Sequence, residues 1–135
     1  MNYYRTSTGY KLTQQTLDRN VREAYRIADQ DMPRYICECC GKVPPVDHDH
    51  TISVKRCKEL DKAELAWDPR NWSYSCRTCH NVWENFKSGM WSYAKNAARR
   101  LRFVLAHDKE TFAKRFQSIK NDELREDFKK YYDEL

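Results

Sequence analysis

Apolar residues recur with a helical period towards both ends of this chain and lose that period in between. Leu17, Val21, Ala24 and Ala28 fall at i, i+4, i+7 and i+11, one stripe of an amphipathic helix. Thr13 or Thr16 can cap its start, and Asp31-Met32-Pro33 makes the turn that ends it. From Asn81 the helical period returns. Phe86, Met90, Tyr93, Ala97, Leu101 and Val104 mark one face of a long helix interrupted only by Gly89 and ended at His107. Asp108 then caps a short helix with Phe112, Phe116 and Ile119, and Asn121 opens a last one with Leu124, Phe128, Tyr131 and Leu135. Between the helical ends, Gly41 and Pro44-Pro45 mark turns, and Ile52-Ser53-Val54 alternates as a short strand, so this region predicts a β-hairpin with polar loops. Asp68-Pro69-Arg70-Asn71 is a turn, and a helix starts at Cys76. The pattern predicts an α+β fold, mostly α. It divides into an N-terminal helical segment (1–34), a small β-containing core (35–85) and a helical C-terminal extension packed on that core (86–135).

Composition narrows the function classes. In 135 residues the chain is 40% hydrophobic and 13% aromatic, enough for a modest core and against global disorder. It has no apolar run long enough to span a membrane, and its N-terminus lacks the apolar region of a signal peptide. We therefore expect a cytoplasmic protein without a membrane partner. The net charge of +5 points to a polyanionic partner. The excess is concentrated in residues 84–108, which carry five basic and two acidic side chains. There Lys95, Arg99 and Arg102 fall at i, i+4 and i+7, the spacing of one helix face, which suits DNA phosphates; the ordinary alternative is the solvated face of a half-buried helix.

The six cysteines carry more information than the charge. Cys37 with Cys40 and Cys76 with Cys79 form two Cys-x-x-Cys pairs, which in a reducing compartment are metal-ligand spacings. They predict a structural Zn²⁺ on Cys37, Cys40, Cys76 and Cys79, with Cys39 as an alternative to Cys37 and Cys57 as a spare strand thiol. Gly41 suits the tight turn of a zinc knuckle.

Between the pairs lies Asp47-His48-Asp49-His50, followed by Asn71 and, directly after Cys79, by His80. The ordered set Cys-Glu-Cys-Cys-Gly, Val-Asp-His-Asp-His and Trp-Asp-Pro-Arg-Asn-Trp-Ser-Tyr-Ser-Cys-Arg-Thr-Cys-His resembles the HNH endonuclease family, the ββα-metal or His-Me finger nucleases. The resemblance covers roughly residues 35–85. It implies a zinc-stapled ββα-metal core in that segment and a metal-dependent DNA endonuclease that hydrolyses phosphodiester bonds. His48 would be the general base, Asn71 an orienting hydrogen-bonder, and Asp47 and His80 the ligands of a catalytic Mg²⁺ or Mn²⁺. His50 and Glu84, one helical turn from His80, are accessory candidates; the bland readings are a loop residue and a solvated helix residue. The Asp-His-Asp-His run is similar to that of phage junction-resolving endonucleases, which place Asn where this chain has His80. Trp83 stands where family members often carry a basic residue.

Chemistry supports these residue types. An imidazole titrates near pH 6.5 and can take a proton from water. Carboxylate and imidazole suit a divalent ion with open positions, whereas an amide does not titrate and can only orient. Double-stranded or branched DNA is the expected partner, with a homodimer as one way to cut two strands. If the chain is phage-encoded, the host cytoplasm is the expected compartment. The rival expectation is a zinc-stapled nucleic-acid-binding or protein-interaction module without catalysis.

Overall fold

Thr13 begins the longest helix. The computed structural model describes residues 2–30 and 36–135, and in it the N-terminal stripe becomes α1, Gln14–Gln30. Thr13 Oγ1 accepts from the Thr16 amide at 3.2 Å and its carbonyl from Leu17 at 3.0 Å, so Thr13 is the N-cap. The expected terminator, Asp31-Met32-Pro33, lies outside the described residues. Ahead of α1, β1 (Tyr4–Arg5) and β2 (Lys11–Leu12) pair antiparallel, with Tyr4 opposite Leu12. Two-residue strands carry no readable period. The turn makes this hairpin, the Thr6 amide donating to the Tyr10 carbonyl at 2.9 Å and Gly9 adopting φ +87°.

The chain folds as two units, each discontinuous in sequence: Met1–Pro33 with His50–Ser73, and Arg34–Asp49 with Tyr74–Leu135. Its class is α+β and mostly helical, with two small two-stranded sheets among the described residues. Among those residues no helix is long and apolar enough to cross a membrane.

In the first unit, α1 and α2 (Val54–Glu59) both pack on a 3₁₀ turn, Ala63–Trp67. Leu17, Ile52, Cys57, Ala66 and Trp72 are buried there, and the Tyr25 ring meets Trp72 edge-on at 4.9 Å. The strand expected at Ile52–Val54 is corrected. Ser53 Oγ accepts from the Arg56 amide at 3.1 Å, so Ser53 caps a helix that Val54 opens. Cys57, expected on a strand, is buried in that helix. Three alternating residues are too short to outweigh a cap. The strand of this region is β3, Asp47–His50, and its partner is β4, Trp72–Ser75.

A carboxylate holds the N-terminal hairpin to this unit. The Ser7 amide donates to Glu64 Oε1 at 3.0 Å, and the Ser7 hydroxyl donates to Oε2. Burial opposes the Glu64 charge, but the two Ser7 donors outweigh it and hold the carboxyl below its ordinary value of 4.5. A depressed folded-state pKa means that the tether is fully present above the unfolded value and lost as pH falls through the folded one. Amide exchange at Ser7, corrected for its intrinsic rate, should therefore lose protection in acid, and Glu64→Gln should remove that pH dependence. Constant protection from about pH 6 to about pH 3 would contradict the tether.

In the second unit the expected long helix is also corrected. It is broken into α3 (Arg77–Glu84), two 3₁₀ turns (Phe86–Ser88 and Met90–Tyr93) and α4 (Ala97–His107). Gly89 is the cause. It sits at φ +74°, where a Cβ would lie 2.2 Å from the Ser118 carbonyl oxygen. Close by, Ser92 Oγ accepts from the Lys120 and Asn121 amides at 3.1 Å each. Lys95 consequently precedes α4, so Lys95, Arg99 and Arg102 do not share one helical face. The later caps are found as read. Asp108 starts α5 (Lys109–Ser118) by accepting from the Thr111 amide at 3.2 Å, and Asn121 starts α6 (Asp122–Asp133) by accepting from Glu123 at 3.1 Å. Trp83, Trp91, Leu101, Val104, Phe112 and Phe128 fill the core of this unit.

Candidate functional site

The two cysteine pairs converge within the second unit. The Sγ atoms of Cys37, Cys40, Cys76 and Cys79 all lie within 4.8 Å of one another, close enough for one metal ion. Thiolates around a tetrahedral Zn²⁺ with bonds of about 2.3 Å stand roughly 3.8 Å apart, so this cluster needs little adjustment. Gly41, at φ +66°, closes the first knuckle with its amide donating to the Cys37 carbonyl at 2.9 Å. Cys76 is the N-cap of α3, which roots that helix in the cluster. Cys39 is outside the four; its buried thiol is hydrogen-bonded with Ser75 Oγ at 3.3 Å.

The thiols are not equivalent. Burial disfavours a charge on Cys37, yet surrounding amides, including those of Cys76 at 3.3 Å and Cys39 at 3.4 Å, bring it down to about 6. Burial pushes Cys79 up, and the thiols of Cys76, Cys37 and Cys40 push it the same way. Without a metal, then, the Cys37 thiolate is stabilised while the Cys79 thiol holds its proton. A soft divalent ion would release that proton.

One turn into α3, His80 lies among carboxylates. Its Nδ1 is 3.0 Å from Asp47 Oδ2, and its Nε2 is 2.9 Å from Glu84 Oε1 and 3.6 Å from Asp49 Oδ1. Alternation along β3 explains the pairing: Asp47 and Asp49 point to the face that His80 meets. Burial disfavours a charged imidazole, but the bond to Asp47 and the charges of Asp49 and Glu84 outweigh it and raise the His80 pKa. Asp47 is gripped from a second side, Arg77 Nε donating to Oδ2 at 2.7 Å and Nη2 to Oδ1 at 2.9 Å. Arg77 first and His80 second hold Asp47 down to about 2. Asp49 Oδ1 is buried and has no hydrogen-bond partner. An orphaned carboxylate oxygen faces an imidazole with two further carboxylates beside it, donor types that a hard divalent cation takes, but among the described residues only the four cysteines converge as closely as one metal ion requires.

His48, next to Asp47, turns the other way and packs its ring 5.0 Å from that of Tyr74. Asn71 and His50 belong to the first unit. Asn71 is fully buried. Its Nδ2 donates to the carbonyls of Ile52 and Leu65, both at 2.9 Å, and its Oδ1 accepts from the Ile52 amide at 2.7 Å. It thereby holds the backbone that immediately follows β3. His50 Nε2 donates to the Ala66 carbonyl at 2.8 Å, with its ring beside Tyr25 and Trp72. Of the basic set, Arg99 pairs with Glu38 at 3.3 Å, so that side chain does have a matching acid; Lys95 and Arg102 are exposed.

Two arginines were not among the candidates. Arg77 is the residue after Cys76 and gives no signal in the sequence. Arg100 does give one, since it lies three residues from Ala97 and four from Val104, on the buried stripe. Its Nη1 donates to Asp49 Oδ2 and its Nη2 to the Asp49 carbonyl, both at 3.0 Å, and Ser75 Oγ donates to the same Oδ2 at 3.1 Å. The Trp83 ring, where the resembled family often has a base, carries Arg100 at 3.9 Å and Arg115 at 3.5 Å from its centroid. Burial, then the Arg100 charge, pulls Arg115 down to about 9.

Comparison with family models, with curated proteins and with solved structures finds no match to this chain.

Proposed function

We propose that this chain is a metal-dependent DNA endonuclease of the HNH type, with a structural Zn²⁺ on Cys37, Cys40, Cys76 and Cys79. The observation that carries the reading is the convergence of Asp47, Asp49 and Glu84 on His80, one residue along the strand from His48. A purely structural zinc module needs none of these groups. Asp47 and His80, with Glu84 beside them, would hold Mg²⁺ or Mn²⁺, which when bound supplies Lewis acidity towards a phosphate oxygen. His48 takes the proton of the attacking water on a ring nitrogen, from the strand face opposite Asp47. Asn71 acts as a positioning residue by holding the backbone at Thr51 and Ile52 through its own bonds and its carbonyl. Exposed Lys95 and Arg102 offer charge for DNA phosphates.

One contact favours the rival, a zinc-stapled nucleic-acid-binding module without catalysis: Arg77 occupies both oxygens of Asp47. Arg77 is 70% exposed, so it can swing away at little cost when an ion enters. Supercoiled plasmid and branched DNA incubated with Mg²⁺ or Mn²⁺ separate the two. Wild-type protein should cut, and His48→Ala should lose about a hundred-fold or more in rate with its fold and DNA affinity intact. If wild type leaves both substrates whole yet binds them as His48→Ala does, the binding module is correct.

A further inference from the structure

A cavity of about 370 Å³ opens within the second unit on a face of α3 that the His80 cluster does not use. Cys79, Val82 and Trp83 face it at i, i+3 and i+4, whereas His80 and Glu84 occupy the neighbouring face. Its volume is that of a small-ligand site. Trp83 and Trp91 line it, and at its rim Met90 and Tyr93 are 51% and 57% exposed. Tyr93 is held in place, its hydroxyl donating to the Lys120 carbonyl at 3.3 Å. An exposed aromatic ring fixed at both ends is a stacking platform with little freedom to lose.

Apart from the Cys40 and Cys79 thiols of the four-cysteine cluster, which border it, the charged side chains lining this cavity are basic. Lys42 and Lys95 line it, and neither has an acidic partner among the described residues. Arg100 lines it too, but Asp49 neutralises that guanidinium. Lys95 is positioned by its backbone, whose amide donates to the Cys39 carbonyl at 2.8 Å, and its ammonium lies over Gly41. An apolar, aromatic cavity with two unpaired ammonium groups at its edge selects a planar ring that carries negative charge next to it. The occupant that answers both demands is one unpaired nucleotide of a DNA strand, its base against Tyr93 and Met90 and its phosphates at Lys42 and Lys95. We infer that this cavity captures an unstacked nucleotide of single-stranded DNA. The choice of nucleic acid over another aromatic anion rests on the nuclease reading; the cavity itself does not.

The test is binding, measured apart from cleavage. The 135-residue chain is titrated, without added Mg²⁺ or Mn²⁺, into a labelled octathymidylate and a labelled duplex of equal length, with fluorescence anisotropy as readout. Tyr93→Ala should weaken octathymidylate binding about ten-fold and leave duplex binding nearly unchanged, while Tyr93→Phe, which keeps the ring but loses its tether, should lose only about two-fold. Lys42→Gln with Lys95→Gln should lower the salt slope of octathymidylate binding by roughly one to two. Equal losses on both DNAs, or no loss on either, would overturn the inference. So would binding of free thymidine monophosphate that depends on Tyr93 when octathymidylate binding does not. Should plasmid stay uncut while Tyr93 still governs octathymidylate binding, the nuclease reading fails and the cavity stands.

Discussion

Replacing any one of Cys37, Cys40, Cys76 or Cys79 by serine should unfold the unit formed by Arg34–Asp49 and Tyr74–Leu135. The four thiols tie two segments about forty residues apart in the chain to a single point, and α3 starts on that point. Structural zinc contributes about 10–16 kcal/mol in comparable small sites, against about 5–15 kcal/mol for the net stability of a whole domain. Loss of the ion is therefore expected to remove the cooperative thermal transition of this unit rather than shift it by a few degrees. Cys39→Ser and Cys57→Ser are the matched controls: both thiols are buried, neither belongs to the cluster, and each variant should keep its metal. Elemental analysis should find about one zinc per chain in wild type and in the controls, and chelation should abolish the near-ultraviolet circular dichroism of the tryptophans. Acid should have the same effect, because the ligands must be thiolates. A folded, zinc-free wild-type protein would remove the metal assignment.

Arg100→Met should cost about 3–5 kcal/mol without touching the four-cysteine cluster. Arg100 and Asp49 are each only 1% exposed, and the guanidinium meets Asp49 twice, at the carboxylate and at the backbone carbonyl. A buried pair of this kind adds little over well-packed apolar residues, but removing one partner leaves a charge with no solvent. Methionine fills the volume of the aliphatic stem but loses the guanidinium that lies 3.9 Å over Trp83, so the effect includes that cation–π contact along with the stranded carboxylate. Adding Asp49→Asn to Arg100→Met should restore roughly half of the loss, since the remaining group is neutral. Denaturant unfolding followed by tryptophan emission measures both. A cost below about 1 kcal/mol for Arg100→Met would mean that water reaches Asp49.

The parts of this protein that are local in the chain are legible in its sequence. Helix α1 and its Thr13 start, the caps at Asp108 and Asn121 and the two Cys-x-x-Cys spacings each depend on residues a few positions apart. Spacing of that kind is a direct record of helical or turn geometry. Even there, short signals failed. Ile52-Ser53-Val54 alternates like a strand, yet a single serine cap makes it a helix start. The stripe from Phe86 to Val104 breaks over a longer stretch than Gly89 alone announces, into turns from Phe86 to Tyr93 and an extended Ala94, and nothing near Gly89 in sequence records that the chain around Ser118 lies against it.

For the candidate site the sequence determined the inventory: which residues can ligate, take a proton or orient, and that two carboxylates on one strand face would point together. The tertiary structure alone decided their partners. It set His80 between Asp47 and Glu84, put Arg77 on Asp47, buried Arg100 against Asp49, and gave His50 to Ala66 and Asn71 to Ile52 and Leu65. The reason is physical. A side chain's chemistry is its own, but its charge state and partners come from groups that only folding brings within a few ångströms, where burial makes each contact strong and each missing partner costly.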